Sequence, residues 1–252
     1  RLDIPTAGLI RKRAEALGMR LLGGGSLPKD KELLSDLPEK RREAIEYMKF
    51  LVRNVHELGS DFCGGIVYAP FSRFTGKAPT QVEMERSVEG LREVARYAKG
   101  LGVRVGLEPA NRYETYVVNT IAAGLALADA IGEPNVGILY DTFHTSIEEK
   151  SMHGAITAAG KRLYHVHVSA NDRGIPGTGQ VHWDEVFRGL KDTGYDGTIS
   201  IEGFVDASAD VASGACIWRR FADSPEQMAV EGFAFIRTML EKHGLPRDAA
   251  GR

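Results

Sequence analysis

Cysteine is scarce in this chain, with two in 252 residues, Cys63 and Cys216. They form no CxxC pair, which excludes a disulfide framework and a thiolate zinc site. Both are expected to be reduced, small core residues of a cytoplasmic protein, Cys63 on a strand and Cys216 on a helix. An excess of either charge is also missing, since 32 Lys and Arg face 34 Asp and Glu for a net charge of -2. Without a basic block the chain lacks the electrostatic footprint of a nucleic-acid binder, and no nucleic-acid partner is expected. No apolar run approaches the ~20 residues that cross a bilayer, and the start does not resemble a signal peptide, so no membrane partner is expected either. Ordinary hydrophobic (43%) and charged (26%) fractions exclude disordered, collagen-like and coiled-coil chains.

Glycine, by contrast, is abundant at 29 residues. Gly18, Gly59, Gly102, Gly132, Gly160 and Gly194 each follow a helix-like segment, where a left-handed cap is wanted. A short aliphatic run follows each one: 19–22, 62–68, 103–108, 136–141, 163–168 and 198–202. These read as six strands. Between them apolar residues recur at three and four, as in Ile45, Met48, Leu51, Val52, Val55 and Leu58 or Val88, Leu91, Val94, Ala95 and Ala98, the period of amphipathic helices. Thr80 with Glu83 predicts a capping box. Strand then helix, repeated without hairpin signals, predicts a parallel sheet with helices outside it.

Side-chain parity separates an open sheet from a closed barrel. One face carries Val105, Leu107, Ile138, Tyr140, Val166, Val168, Ile199 and Ile201, suited to packing under helices. The other carries Arg104, Gly106, Glu108, Leu139, Asp141, His165, His167, Ser200 and Glu202. A doubly wound sheet wants both faces apolar, whereas a barrel carries polar residues inward near its mouth. The reading is therefore an α/β fold of the TIM (β/α)8 type, a single domain over 1–252. Six strands fall short of eight, and residues 211–222 and 225–243 read as helix. The chain is thus expected to lack counterparts of the first strand, first helix and second strand.

Four strands end in a residue able to bind a metal: Glu108, Asp141, His167 and Glu202. In a barrel the carboxyl ends of strands converge at the mouth where active sites are built. Three carboxylates and one imidazole make a hard, mostly oxygen site, suited to Mn2+, with Mg2+ or Co2+ as alternatives. Carboxylates gathered at one mouth would repel each other without a cation.

These strand ends lie within longer strings: Gly106-Leu-Glu-Pro-Ala-Asn-Arg-Tyr-Glu-Thr115, Tyr140-Asp-Thr-Phe-His-Thr-Ser-Ile-Glu-Glu149, His165-Val-His-Val-Ser-Ala-Asn-Asp-Arg173 and Ile199-Ser-Ile-Glu-Gly-Phe204. With the late Gly214-Ala-Cys-Ile-Trp-Arg219, they resemble the ketose 3-epimerases, which act on D-tagatose, D-psicose (allulose) or L-ribulose and belong to the xylose-isomerase-like TIM barrels. The resemblance implies that Glu108, Asp141, His167 and Glu202 are metal ligands and that Glu108 and Glu202 are also the acid/base pair. It implies further that Glu114, His144 and Arg173 contact the sugar, and that the partners are a small ketose and further copies of the chain in a homodimer or homotetramer. Where many members carry Gly-Glu, this chain has Ser169-Ala170, which removes one acidic contact near the pocket.

The chemistry agrees with this reading. Taking a proton from carbon beside a ketone is slow in water, and a divalent ion on the ketone and neighbouring hydroxyl oxygens stabilises the enediolate. Two carboxylates on opposite faces can then invert C3, one taking and one giving the proton. A 1,2 aldose–ketose isomerase could use the same site. A metal-dependent phosphodiesterase would want more than the seven histidines present, together with a basic groove. The glycine-rich 173–180 loop could cradle a phosphate, but it lacks phosphate-loop spacing and a lysine, so a free sugar is expected. Trp183, Trp218, Phe71 and Phe74 could line the pocket or a subunit contact, but aromatic residues at such positions are more often core, and core positions are expected.

Overall fold

The structure, a computed structural model, describes residues 4–206 and 214–246. It divides into two compact units, 1–139 and 140–252.

In the first unit, strands and helices alternate as α1 (Ile4–Ala16), β1 (Gly23–Gly24), α2 (Pro38–Glu57), β2 (Phe62–Gly65), α3 (Gln81–Gly100), β3 (Arg104–Leu107) and α4 (Ile121–Ile131). The strand β4 (Val136–Asp141) follows. The order β1-β2-β3-β4 is parallel throughout, with Cys63 opposite Val105, Gly64 opposite Gly106 and Leu107 opposite Ile138. This register puts residues of like parity on one face, as the alternation requires. Helix α3 starts where the capping box predicts: the Thr80 hydroxyl accepts from the Glu83 N–H at 3.2 Å, and the Glu83 carboxylate accepts from the Thr80 N–H at 2.8 Å. All six glycines expected past helix ends have positive φ. At Gly160, ψ is -128°, so this one lies outside the left-handed helical region.

The first strand departs from expectation. It lies at Gly23–Gly24 rather than 19–22, and Met19 is exposed. The reason is clearance rather than propensity. A Cβ on Gly24 would come within 2.7 Å of the Gly64 carbonyl oxygen, and one on Gly23 within 2.2 Å of Val55. Only residues without side chains can pair that closely with β2 beneath α2.

Tyr68, fully buried, ties the end of β2 to the end of β3. Its hydroxyl lies 3.0 Å from the Glu108 carbonyl and 2.9 Å from the Val118 carbonyl, while the Ser87 hydroxyl donates to the carbonyl of Tyr68. Burial pushes this phenol far above its usual range, so it stays a donor. Tyr68→Phe is expected to cost about 1–3 kcal/mol, the penalty for stripping a buried carbonyl of its donor, readable as a lower denaturation midpoint.

The second unit holds the last residues of β4, then α5 (Thr142–Glu148), α6 (Met152–Ala159), β5 (Leu163–Val168), α7 (Trp183–Asp192), β6 (Thr198–Ile201) and α8 (Pro225–His243). Strands β5 and β6 pair in parallel, with His167 opposite Ser200 and Val168 opposite Ile201. Helices α6 and α7 pack closely where Gly189 leaves room for Ile156, whose Cβ would be 3.0 Å from an added methyl.

The helix expected over 211–222 is not present over 216–222, and its start at 211–213 lies outside the described residues. Cys216 has φ 55° and is exposed, so it is neither helical nor core as expected. The segment is held instead by Phe221 N–H donating to the Val205 carbonyl at 2.8 Å and by Arg220 bonding the carbonyl of Ala222 at 2.9 Å. Cys63 is buried on β2 as expected. Trp183 packs edge-on against Phe235, whereas Phe74 and Trp218 are exposed, contrary to a core assignment.

Candidate metal centre

Strand β4 ends in Asp141, which is also the N-cap of α5. Its Oδ1 accepts the Phe143 N–H at 2.7 Å, which fixes the carboxylate at a helix start. A two-way bond then ties that helix start to the end of β5. The Thr142 hydroxyl donates to the Ser169 carbonyl and accepts from the Ser169 N–H, both at 2.7 Å. Glu202 follows β6 directly, and its N–H extends the ladder to the Val168 carbonyl at 3.1 Å. The three strand ends therefore come together at their carboxyl ends.

Their side chains meet there. His167 Nδ1 lies 3.1 Å from Glu202 Oε2 and 3.9 Å from Asp141 Oδ2. Each of the three offers a ligand atom within 4.8 Å of the others. The Arg173 guanidinium joins them, with Nη1 donating to Asp141 Oδ2 at 2.6 Å and to Glu202 Oε2 at 2.8 Å. Its Nη2 lies 3.1 Å from His144 Nε2. An arginine can only donate, so His144 Nε2 is the acceptor and the ring is neutral with its proton on Nδ1. Burial supports this by pushing His144 down to about 3, against the pull of Asp141.

The two carboxylates feel Arg173 unequally. Asp141 is fully enclosed, and burial pushes it up despite the opposing pull of Arg173 and His144. Burial raises Glu202 too, but its side chain is a third exposed, and His167 and Arg173 outweigh that to hold it well below the carboxylate range. Two anionic side chains and an imidazole gathered this tightly form a site for positive charge. The donor set fits a divalent ion that prefers oxygen and accepts one nitrogen.

The remaining expected residues belong to the first unit. Glu108 follows β3 directly and is buried, with its N–H donating to the Gly65 carbonyl at 3.1 Å. Glu114 is half-buried, accepts from Asn111 Nδ2 at 3.0 Å and receives the Ser72 N–H on its carbonyl. Sequence reasoning missed Phe143 and Phe204, whose rings lie 4.1 and 5.8 Å from the Arg173 guanidinium carbon. Each stands two residues beyond a strand-end carboxylate, and that shared spacing was the available signal.

The sequence profile described as "Xylose isomerase-like TIM barrel" matches residues 5–239. The chain belongs to this xylose isomerase-like TIM barrel family. Its curated relatives within the family are isomerase-class enzymes. The chain is 33% identical over 236 residues to the D-psicose 3-epimerase of Ruminiclostridium cellulolyticum, covering 91% of this chain and 80% of that protein. It is 32% identical over 241 residues to the L-ribulose 3-epimerase of Mesorhizobium japonicum, covering 95% and 80%. A solved structure of an L-ribulose 3-epimerase matches with a TM-score of 0.91 at 31% identity, over 96% of this chain and 81% of that one. The barrel class read from strand parity and the family read from the four motifs are both borne out.

Proposed function

We propose that this xylose isomerase-like barrel inverts C3 of a free ketose of the D-tagatose, D-fructose/D-psicose or L-ribulose class. The observation that carries the reading is the convergence of Asp141, His167 and Glu202 at strand ends, on a chain whose relatives are ketose 3-epimerases. Glu108, directly after β3 as Glu202 is directly after β6, is the proposed fourth ligand. The proposed ion is Mn2+, with Mg2+ or Co2+ as alternatives. A divalent ion held there would polarise the ketone and adjacent hydroxyl of the sugar, making the C3 proton acidic.

The chain's own residues do the rest. Glu108 and Glu202 are the proposed acid/base pair, one removing the C3 proton and the other returning a proton to the opposite face of the planar enediolate. His144, neutral and buried, and Arg173 bind sugar oxygens beside the site, and Glu114 holds the distal hydroxyls. The proposed assembly is a homodimer or homotetramer acting in the cytoplasm on small sugars, with no nucleic-acid or membrane partner. Among the described residues no helix is long and apolar enough to cross a membrane.

The 173–180 loop supports a free sugar over a phosphate ester. Asn171 Oδ1 takes the Gln180 N–H at 2.7 Å, and the Asp172 carboxylate takes the Gly174 N–H at 3.1 Å. Two of the loop's backbone donors, on Gly174 and Gln180, are thus taken by the side chains that precede the loop, one of them anionic, which disfavours a phosphate there. The test is to incubate metal-loaded protein with D-fructose, D-tagatose and L-ribulose and resolve the products by chromatography. A C3 epimer is expected from at least one of them. An aldose as the first product would instead establish a 1,2 isomerase.

A further inference from the structure

Arg173 bonds one oxygen of each of two carboxylates in the candidate metal site. Its Nη1 bridges Asp141 Oδ2 and Glu202 Oε2 at 2.6 and 2.8 Å. We propose that Arg173 is a built-in competitor of the metal: its guanidinium neutralises the two carboxylates in the metal-free protein, must release at least one of them for an ion to be held, and thereby sets the metal affinity. This rests on the metal-dependent reading above.

Geometry carries the argument. Oxygen ligands hold a small divalent ion at about 2.1 Å, so an ion on Asp141 Oδ2 would lie no farther than about 4.7 Å from Nη1 as placed. Two cations that close, beside an Asp141 carboxylate with no exposed side-chain surface, repel each other. The arginine is held in this competing position rather than resting there by chance. Its side chain is 8% exposed, and its φ of 69° is a conformation that non-glycine residues rarely adopt. Its guanidinium carbon sits 4.1 Å from the Phe143 ring centroid, and Nη2 bonds His144.

The anchors also define how the exchange runs. Phe143 and His144 contact the guanidinium independently of the carboxylates, so release of an oxygen by Nη1 does not by itself require withdrawal of the side chain. The donor set free in this way stays inside the site. A sugar oxygen can then take it, so that metal entry prepares the sugar contact proposed for this arginine. A residue serving only as a sugar contact, or only as a structural partner for Asp141, would leave metal affinity unchanged or weaken it on removal.

The experiment titrates chelator-treated full-length protein with Co2+ by calorimetry, for the wild type, Arg173→Lys and Arg173→Met. Arg173→Met keeps an apolar stem against Phe143 but removes the charge. It is expected to bind Co2+ at least tenfold more tightly than wild type, with Arg173→Lys between them, and to gain more in Tm on metal addition. Equal or weaker Co2+ binding by folded Arg173→Met would overturn the proposal while leaving the metal reading intact. If Arg173→Met does not fold without metal, the crystal structure of Co2+-loaded wild type decides. Retention of both Nη1 bonds beside the ion overturns the competition, and loss of either one supports it. A wild type that binds neither Co2+ nor Mn2+ overturns the metal-dependent reading, and the competition with it.

Discussion

Replacing either Glu108 or Glu202 by Gln is expected to stop net epimerisation while leaving half of the reaction running. Glutamine keeps the size of the side chain and can still offer an oxygen to an ion, but it cannot carry the proton. A lost acid/base group typically costs about 10²–10⁴-fold. In D2O the surviving glutamate still exchanges the C3 proton on its own face. Glu108→Gln should therefore place deuterium at C3 of only one of the two epimers, and Glu202→Gln at C3 of only the other. A single-base mechanism gives a different pattern, with one variant inert toward both sugars and the other still epimerising. Metal content has to be measured alongside, because a carboxamide binds a divalent ion more weakly and an empty site would mimic inertness. Near wild-type epimerisation by both variants with metal bound would leave these residues as ligands only.

The parts of this fold legible in the sequence are those where local pattern and tertiary environment agree. Strands β4 and β5 lie at 136–141 and 163–168 as read, because a β-branched or aliphatic run there meets burial on the sheet. The final helix likewise matches, with Ser224 capping, Pro225 at its first turn and Gly244 past its end. Strand β1 was illegible because glycine has no strand signature, and what selects it is clearance from Val55 and Gly64, set by residues about 30 to 40 positions away. Residues 216–222 carry a helix-compatible pattern, yet a backbone bond from Phe221 to Val205 and a positive φ at Cys216 override it.

The site was legible to the same degree. Asp141, His167 and Glu202 could be named from strand-end parity, since a parallel register delivers equivalent positions to the same end of a sheet. The contact of Arg173 with both carboxylates could not. It depends on a left-handed residue in an irregular loop, which no periodicity encodes. The same holds for the Thr142–Ser169 bond, where a hydroxyl that reads as an ordinary helix start closes on a backbone 27 residues away.

Removal of the metal is expected to abolish activity and to lower Tm by an amount that Arg173 limits. An ion present at about 100 times its dissociation constant stabilises a folded protein by about 2.7 kcal/mol, and a domain of this size loses about 2–4 °C per kcal/mol. Dialysis against chelator should then lower Tm by roughly 5–10 °C, with recovery on adding Mn2+. Bare carboxylates at one point would add mutual repulsion to that loss. Here Arg173 already compensates Asp141 and Glu202 through bonds of 2.6 and 2.8 Å, so wild type should stay folded without metal. Arg173→Met, stripped of both cations, should show the larger drop. The pairing of results is what discriminates: full activity in protein with no measurable metal would remove the ion from the reaction, whatever the change in Tm. A large Tm drop in wild type equal to that of Arg173→Met would instead mean that the guanidinium contributes nothing to holding the two carboxylates together.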